Sequence, residues 1–403
     1  MLKTTLKRIP LFARINAALK SEQSKTHYRE WCSRYGSPCV LDETDRNKWP
    51  HYFGDRNSPA PPQTDRLSRC RFFYVGANWD QDRSGLIQGL QMHGEVGVFR
   101  GPDGMNQLRM PRDSAEIDIC RRANSVAIEA EFCIFARAGA VTAVIGQMWN
   151  FAVDSLTLAR IRDAGVPIVN IAMDDRHSFH KSLLCDGSDG GVAGIISAIT
   201  LGATAAPECI SWYRSLGVPA VFFPEASDAS LFQPLSLPKT HDITFVGANY
   251  GFRSQVVKSL RDSGLRVTTY GCDWPEGRIC TERIPELFSR SRIVLGIGGI
   301  LHCKDFTALK LRDFDAPMSG SLYIAQSNPD LSLLFRVGEE IETWSTVHEL
   351  SRKCQAYLAD EAARERIALA GRRRAVKDHT WEHRFALLLR ELNNLVDRDV
   401  SCS

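Results

Sequence analysis

The chain has 403 residues, more than the roughly 250–300 at which a single hydrophobic core stops growing, so two domains are expected. Its composition is 44% hydrophobic and 24% charged, with a formal net charge of +3. So small a charge gives no electrostatic case for a nucleic-acid partner, and no apolar run reaches the ~18–20 residues of a membrane-spanning helix. Twelve cysteines are present but scattered, without C-x-x-C spacing. They read as reduced core thiols rather than as zinc ligands or a redox pair.

In chain order, residues 1–62 read as an appendage. A basic, partly amphipathic start, "MLKTTLKRIPLFARINAALK", is interrupted by Pro10, Arg14 and Asn16, which leaves no core for a secretory signal. A cytoplasmic location is therefore expected. Lys3, Lys7, Arg8, Arg14 and Lys20 would allow residues 1–20 a weak peripheral contact with an anionic membrane surface, but a helix packed on the first domain is the preferred reading, because Pro10 breaks the amphipathic face. The turn-rich "GDRNSPAPPQTD" that follows reads as a linker.

From position 71 the pattern alternates. A strand at 71–76 leads to a helix near 83–93 and a short strand at 95–99. The apolar runs at 132–136 and 141–148 fit more than one state. A helix at 154–165 then precedes a buried strand at 166–173, and a further strand, helix and strand follow. A Pro/Ser-rich stretch at 225–242 separates this part from a second cycle: strand 242–247, helix 252–263, strand 265–271, and so on into helices near 346–360, 361–376 and 381–396. The expected class is α/β, two Rossmann-like parallel-sheet domains facing across a cleft, with a helical C-terminal tail. The boundaries are 1–62 for the appendage and linker, 63–235 for the first domain, 236–376 for the second, and 377–403 for a last helix packing across both.

The two cycles begin alike, "RFFYVGAN" at 71–78 and "DITFVGAN" at 242–249. In open parallel sheets ligands bind beyond the carboxyl ends of the strands, so side chains just after strands are the candidates. Three clusters qualify. In "VGANYGFR", Gly247 and Asn249 form a turn whose N–H groups can approach a phosphate, and Arg253 can add a charged fork. The first copy, with Arg83, reads as its counterpart without a phosphate. In "KLRDFDAPMSGS", Lys310 and Arg312 suit a diphosphate, Asp315 suits sugar or ribose hydroxyls, and Ser319 and Gly320 offer backbone donors. In "DDRHSFH", after strand 166–173, Asp174, Asp175 or His177 could serve as general base, with Asp175 favoured because it lies further out. A helix cap, a surface arginine and an i,i+3 ion pair are the plainer readings of the three.

A G-x-G-x-x-G fingerprint, a P-loop and a G-x-S-x-G elbow are all absent. No metal-ligand cluster is read, so arginine, lysine and a helix dipole are expected to stabilise a leaving diphosphate. No cofactor is expected beyond a nucleotide-diphosphate sugar as co-substrate.

Several stretches carry a family resemblance: "FVGANYGFR", "RIPELFSRSRIVLGI", "LKLRDFDAPMSGSLYIAQSNPDLSLLF", "GEEIETWSTVHEL" and "AGRRRAVKDHTWEHRF", with "VDSLTLARIRDAGVPIVNIAMDDRHSF" in the first half. Over about 130–390 the chain resembles the CgeB-type (spore-maturation, YkvP/CgeB) glycosyltransferase-like proteins, related to group 1 glycosyltransferases of the GT-B fold. The position that usually carries Glu in that family is Asp315 here, one methylene shorter. The resemblance implies transfer of a sugar from a nucleotide donor held by the second domain to a hydroxyl of a glycan, lipid or protein. A two-lobed assembly protein without turnover is the alternative.

Overall fold

The structure is a computed structural model and describes residues 10–41, 70–301 and 303–401. The Pro-rich linker expected before position 63 lies outside the described residues, as do the side chains of all but residues 18–20 in the segment read as a membrane contact. No described helix is long and apolar enough to cross a membrane. The first described element is helix α1, Pro10–Arg34.

Two compact units follow from the packing of the chain. In the first, six strands form one sheet in the order β2-β1-β3-β4-β5-β6: β1 Arg71–Val75, β2 Glu95–Val98, β3 Ala143–Gly146, β4 Ile168–Ala172, β5 Leu201–Thr204 and β6 Ala220–Phe222. Every pairing is parallel. Strands β3 and β4 are buried along their whole length, which is why they read as unbroken apolar runs. The ambiguous run at 132–136 is helical and ends α2, Ile117–Arg137, whose Asn124, Ile128 and Phe132 face inward. Helix α3 spans Ser155–Asp163, and a single turn, α4, spans Asp175–Ser178.

The second unit has five strands in the order β11-β10-β9-β7-β8, again all parallel: β7 His241–Val246, β8 Val267–Tyr270, β9 Ser291–Leu295, β10 Leu322–Gln326 and β11 Glu342–Trp344. Its core joins Ile243, Phe245, Ile293, Leu295 and Ile324 of the sheet to Val256, Val257 and Leu260 of α5, Arg253–Asp262. Each such side chain contributes about 1.5–3 kcal/mol by leaving water. Helix α6, Arg312–Met318, leads into β10; α7, Val347–Ala359, and α8, Glu361–Asp378, complete the layer.

The ends of the chain complete the units. Helix α1 clusters with residues 229–379, not with the sheet that follows it in sequence, where it was expected to pack. Its Tyr28 is fully buried, with the ring 4.6 Å from that of Phe306. The last helix, α9, Trp381–Ser401, belongs to the first unit. There Trp381 and Phe385 press on Gly85 and Gly89, where a Cβ would lie 2.3 and 2.5 Å from Trp381 atoms.

Both sheets share one arrangement. All strands run parallel, but the strand order reverses between the first and third strands, β1/β3 in one sheet and β7/β9 in the other. At such a point the connections leave in opposite directions and open a crevice at the carboxyl ends.

Candidate functional site

In the first unit the crevice is filled from within. Asp82, fully buried, accepts the N–H groups of Ala77 and Asn78 at 3.0 and 3.1 Å through one oxygen. Its other oxygen accepts Gln147 Nε2, from just beyond β3, at 2.9 Å. Burial pushes the Asp82 carboxyl up to about 6, against the pull of these donors. The "VGAN" turn of the first unit thus already has its anion, supplied by its own chain. Arg83, the residue singled out in the sequence, lies beside Asp80 instead.

In the second unit the same turn meets two cations. Gly247 has φ +153°, and a Cβ there would lie 2.9 Å from Arg312 Nη1 and 3.4 Å from Arg253 Nη1. The turn therefore needs glycine both for its backbone and for the approach of the guanidinium groups. Arg253 and Arg312 are 4% and 8% exposed. Main-chain carbonyls hold them: Arg253 donates to Ala248 at 2.9 Å and to Ile297 at 3.1 Å, and Arg312 donates to Val246 and, at 3.3 Å, to Ile297. The Phe245 ring underlies both, 5.6 and 4.7 Å from the guanidinium carbons.

Among the described residues neither arginine forms an ion pair with a carboxylate, and the Nε of each is buried without a hydrogen-bond partner. Burial, and then the Arg312 charge, push Arg253 down to about 10. Two buried like charges held by neutral carbonyls and the Tyr250 hydroxyl are costly, and an anion seated between them offsets that cost. The amino end of α5 carries no side-chain cap, so its dipole adds to the same positive field.

The remaining second-unit candidates divide. Lys310 and Asp315 flank Arg312 at the start of α6, Asp315 one turn further on and half-buried. Asn249 braces the turn, its side chain donating to the Asp273 carbonyl at 3.1 Å and its N–H to Cys272 at 2.8 Å. Ser319 and Gly320 do not join the group. Their N–H groups are spent on Asp315 and Pro317 at 3.0 and 2.9 Å, ending α6. They precede β10 and so sit at the amino end of a parallel strand, whereas Gly247 follows the carboxyl end of β7. Gly320, at φ +72°, is a helix C-cap.

The sequence holds three D-x-D triplets, Asp80-Gln81-Asp82, Asp313-Phe314-Asp315 and Asp397-Arg398-Asp399. Helical spacing turns residues i and i+2 apart. Asp313 points inward, bonding the Tyr323 hydroxyl and accepting the Lys310 N–H at 2.8 Å, and burial raises its carboxyl. Among the described residues no cluster of three or more His, Cys, Asp or Glu side chains has metal-binding geometry.

Beyond the carboxyl end of β4 the two adjacent aspartates part company, Asp174 as the residue before α4 and Asp175 as its first residue. Asp175, favoured from the sequence, is the inward one. It is 1% exposed, accepts the Tyr213 hydroxyl at 3.0 Å, and burial pushes it up to about 7. Asp174 is the outward one, its side chain 43% exposed and 3.8 Å from His177 Nε2. Next in sequence, Arg176 forks onto Glu208 at 2.7 and 3.0 Å, a buried ion pair that fixes α4 and that sequence spacing gave no means to find.

Residues 253–390 match a family model described as glycosyl transferase-like. No curated protein sequence matches the chain. Among solved structures, sucrose-phosphate synthase from Thermosynechococcus elongatus is similar over 82% of this chain and 100% of its own, with a TM-score of 0.59 and 12% identity. A glycosyltransferase from Rickettsia africae is similar over 82% of this chain and 99% of its own (TM-score 0.53, 11% identity). Anabaena HepE, solved with UDP and glucose, is similar over 80% of this chain and 99% of its own (TM-score 0.50, 12% identity). At these identities the likeness is one of fold, the two-sheet GT-B architecture.

Proposed function

We propose that this protein is a glycosyltransferase that moves a sugar from a nucleoside-diphosphate donor to a hydroxyl acceptor. The observation that carries this reading is the buried pair Arg253 and Arg312, without carboxylate partners, at the reversal point of the second sheet. The glycosyl transferase-like match over residues 253–390 includes both arginines, and a fold shared with a UDP- and glucose-bound protein agrees with it.

In this reading the diphosphate lies across the two guanidinium groups and the Gly247 turn, with Lys310 at the edge. Asp315 accepts hydroxyls of the ribose or the sugar. The acceptor oxygen bonds to the anomeric carbon as the bond from that carbon to the diphosphate breaks. The acceptor's proton passes to a base, and the arginines take up the charge that builds on the leaving diphosphate, so the diphosphate itself demands no divalent metal. The Asp174–His177 pair is the base candidate, since Asp175 is turned inward.

Calorimetric titration with UDP, with and without EDTA, tests the donor site. Arg312→Ala should weaken binding by more than ~1.5 kcal/mol, the lower range for a charge-assisted contact, and EDTA should leave the wild-type affinity unchanged. Equal affinity in the variant overturns the placement, and complete loss with EDTA overturns the metal-independent step.

A further inference from the structure

Helix α1 lies outside the stretches that resemble a known family, yet it buries one narrow face against the unit that holds the arginine pair. Among its residues whose side chains are described, Ser21, Lys25, Tyr28 and Cys32 are buried. Spaced by four, three and four, they form a single stripe along the helix. Three of them meet one loop. Ser21 Oγ lies 2.9 Å from Cys303 Sγ, Lys25 Nζ reaches Asp305 at 2.6 Å, and the Tyr28 ring packs on that of Phe306.

That loop, described over residues 297–301 and 303–308, is a hairpin leaving the carboxyl end of β9. Ile300 donates to the Phe306 carbonyl at 2.8 Å, and Ala308 donates to that of Gly298 at 3.1 Å. At its tip Leu301 has φ +52°, a conformation that a leucine keeps only where its surroundings impose it. At its root the Ile297 carbonyl is the shared acceptor of Arg253 and Arg312. The Gly299 carbonyl accepts the Tyr250 hydroxyl at 3.3 Å, and that hydroxyl in turn bonds Arg253 at 3.0 Å. One short loop carries α1 at its tip and the arginine pair at its root.

We propose that α1 is a positioning element for the anion site. Docked on the hairpin tip, it holds the Ile297 and Gly299 carbonyls where they aim the two guanidinium groups, and its release lowers affinity for a nucleoside diphosphate. The proposal rests on the reading of that site as a diphosphate site. Ser21, Lys25 and Tyr28 act through the hairpin and touch no substrate. The Asp305 side chain is 64% exposed, so its ion pair with Lys25 contributes little when merely deleted. Reversing the charge of Lys25, which sets it against both Asp305 and Glu22, is the change that undocks the helix.

The test uses the full chain as wild type, Lys25→Glu, and the charge swap Lys25→Glu/Asp305→Lys, with UDP titrated by calorimetry and amide hydrogen exchange followed over 18–34 and 297–308. Lys25→Glu should speed exchange in both segments and weaken UDP binding about tenfold, and the swap should recover both. If Lys25→Glu leaves α1 protected, Lys25→Glu with Tyr28→Ala is the releasing variant. Faster exchange in α1 with unchanged UDP affinity overturns the proposal, as does a loss of affinity that the swap leaves in place while the hairpin amides stay protected. If wild type binds no UDP but hairpin exchange still answers to Lys25→Glu and to the swap, the positioning role stands and the diphosphate reading falls.

Discussion

Arg253 and Arg312 donate to one and the same main-chain carbonyl, that of Ile297, at 3.1 and 3.3 Å. The two cations repel one another, the Arg312 charge adding to burial in pushing Arg253 down, and a bound anion relieves that repulsion. Any anion of the right shape should therefore stabilise the fold. In a thermal-shift series, inorganic pyrophosphate and UDP should both raise the melting temperature, at saturation of ~100 times Kd by about 2.7 kcal/mol of stability. Uridine, which lacks the diphosphate, should shift it far less. A uridine shift equal to that of UDP would remove the arginines from the explanation.

Gly247 is required for both its backbone and its missing side chain. Gly247→Ala must adopt φ near +153° and place a methyl 2.9 Å from Arg312 Nη1. The expected result is a loss of more than ~1 kcal/mol in stability, together with weaker UDP binding, because the guanidinium group is displaced. Urea denaturation and calorimetry on the same preparation separate the two effects, and an alanine variant with wild-type affinity would contradict the geometry.

The buried carboxyls of the first unit set a pH dependence whose sign is fixed. Asp82 and Asp175 stand at about 6 and about 7 in the folded chain, against ~3.9 for an unfolded aspartate. The folded state binds the proton more tightly, so this contribution to stability is complete below about pH 4 and is lost as pH rises through 6 and 7. Melting temperatures from pH 4 to 8 should show Asp82→Asn and Asp175→Asn each with a shallower fall than wild type over its own window. Parallel curves for variant and wild type would show that the group does not titrate there.

The two adjacent aspartates should separate by assay. Asp174→Asn should lower turnover on an identified acceptor by roughly two to four powers of ten, with UDP affinity retained, as for loss of a general base. Asp175→Asn should act on stability instead, through the Tyr213 hydroxyl it holds. If Asp174→Asn and His177→Gln both turn over normally, the base lies elsewhere.

Ser319 and Gly320 give a negative control within the same motif. Gly320→Ala should cost stability of the order of 1 kcal/mol, because alanine is strained at φ +72°. It should leave UDP affinity unchanged, as should Ser319→Ala. Altered affinity in either would place the end of α6 nearer the ligand than the strand direction allows.

The fold was largely legible because its signals are local. Strands buried on both faces read as apolar runs, and the repeated strand–glycine turn marked where each sheet begins. Arg253 and Arg312 were legible as residues near a turn or beside a motif. What the sequence could not convey was direction. Ser319 and Gly320 lie only a few residues beyond Arg312, yet a helix intervenes and carries them to the other end of the sheet. The inward turn of Asp175 depends on Tyr213, far along the chain, and Asp82 fills the first crevice only because Gln147 arrives from β3. Such partnerships are set by tertiary register, which a linear pattern does not encode.

The exchange of chain ends between the units bears on how the protein is made. Ser21 and Cys303 are 282 residues apart, and His93 reaches the Glu382 carbonyl, at 3.1 Å, across 289. At roughly 5–20 residues per second of translation, α1 waits on the order of half a minute for the hairpin that receives it. The first sheet, although synthesised early, lacks Trp381 and Phe385 until the ribosome has passed residue 385. Nascent chains thus expose two unfinished apolar surfaces until those partners emerge, and a stop before residue 381 damages the unit encoded first.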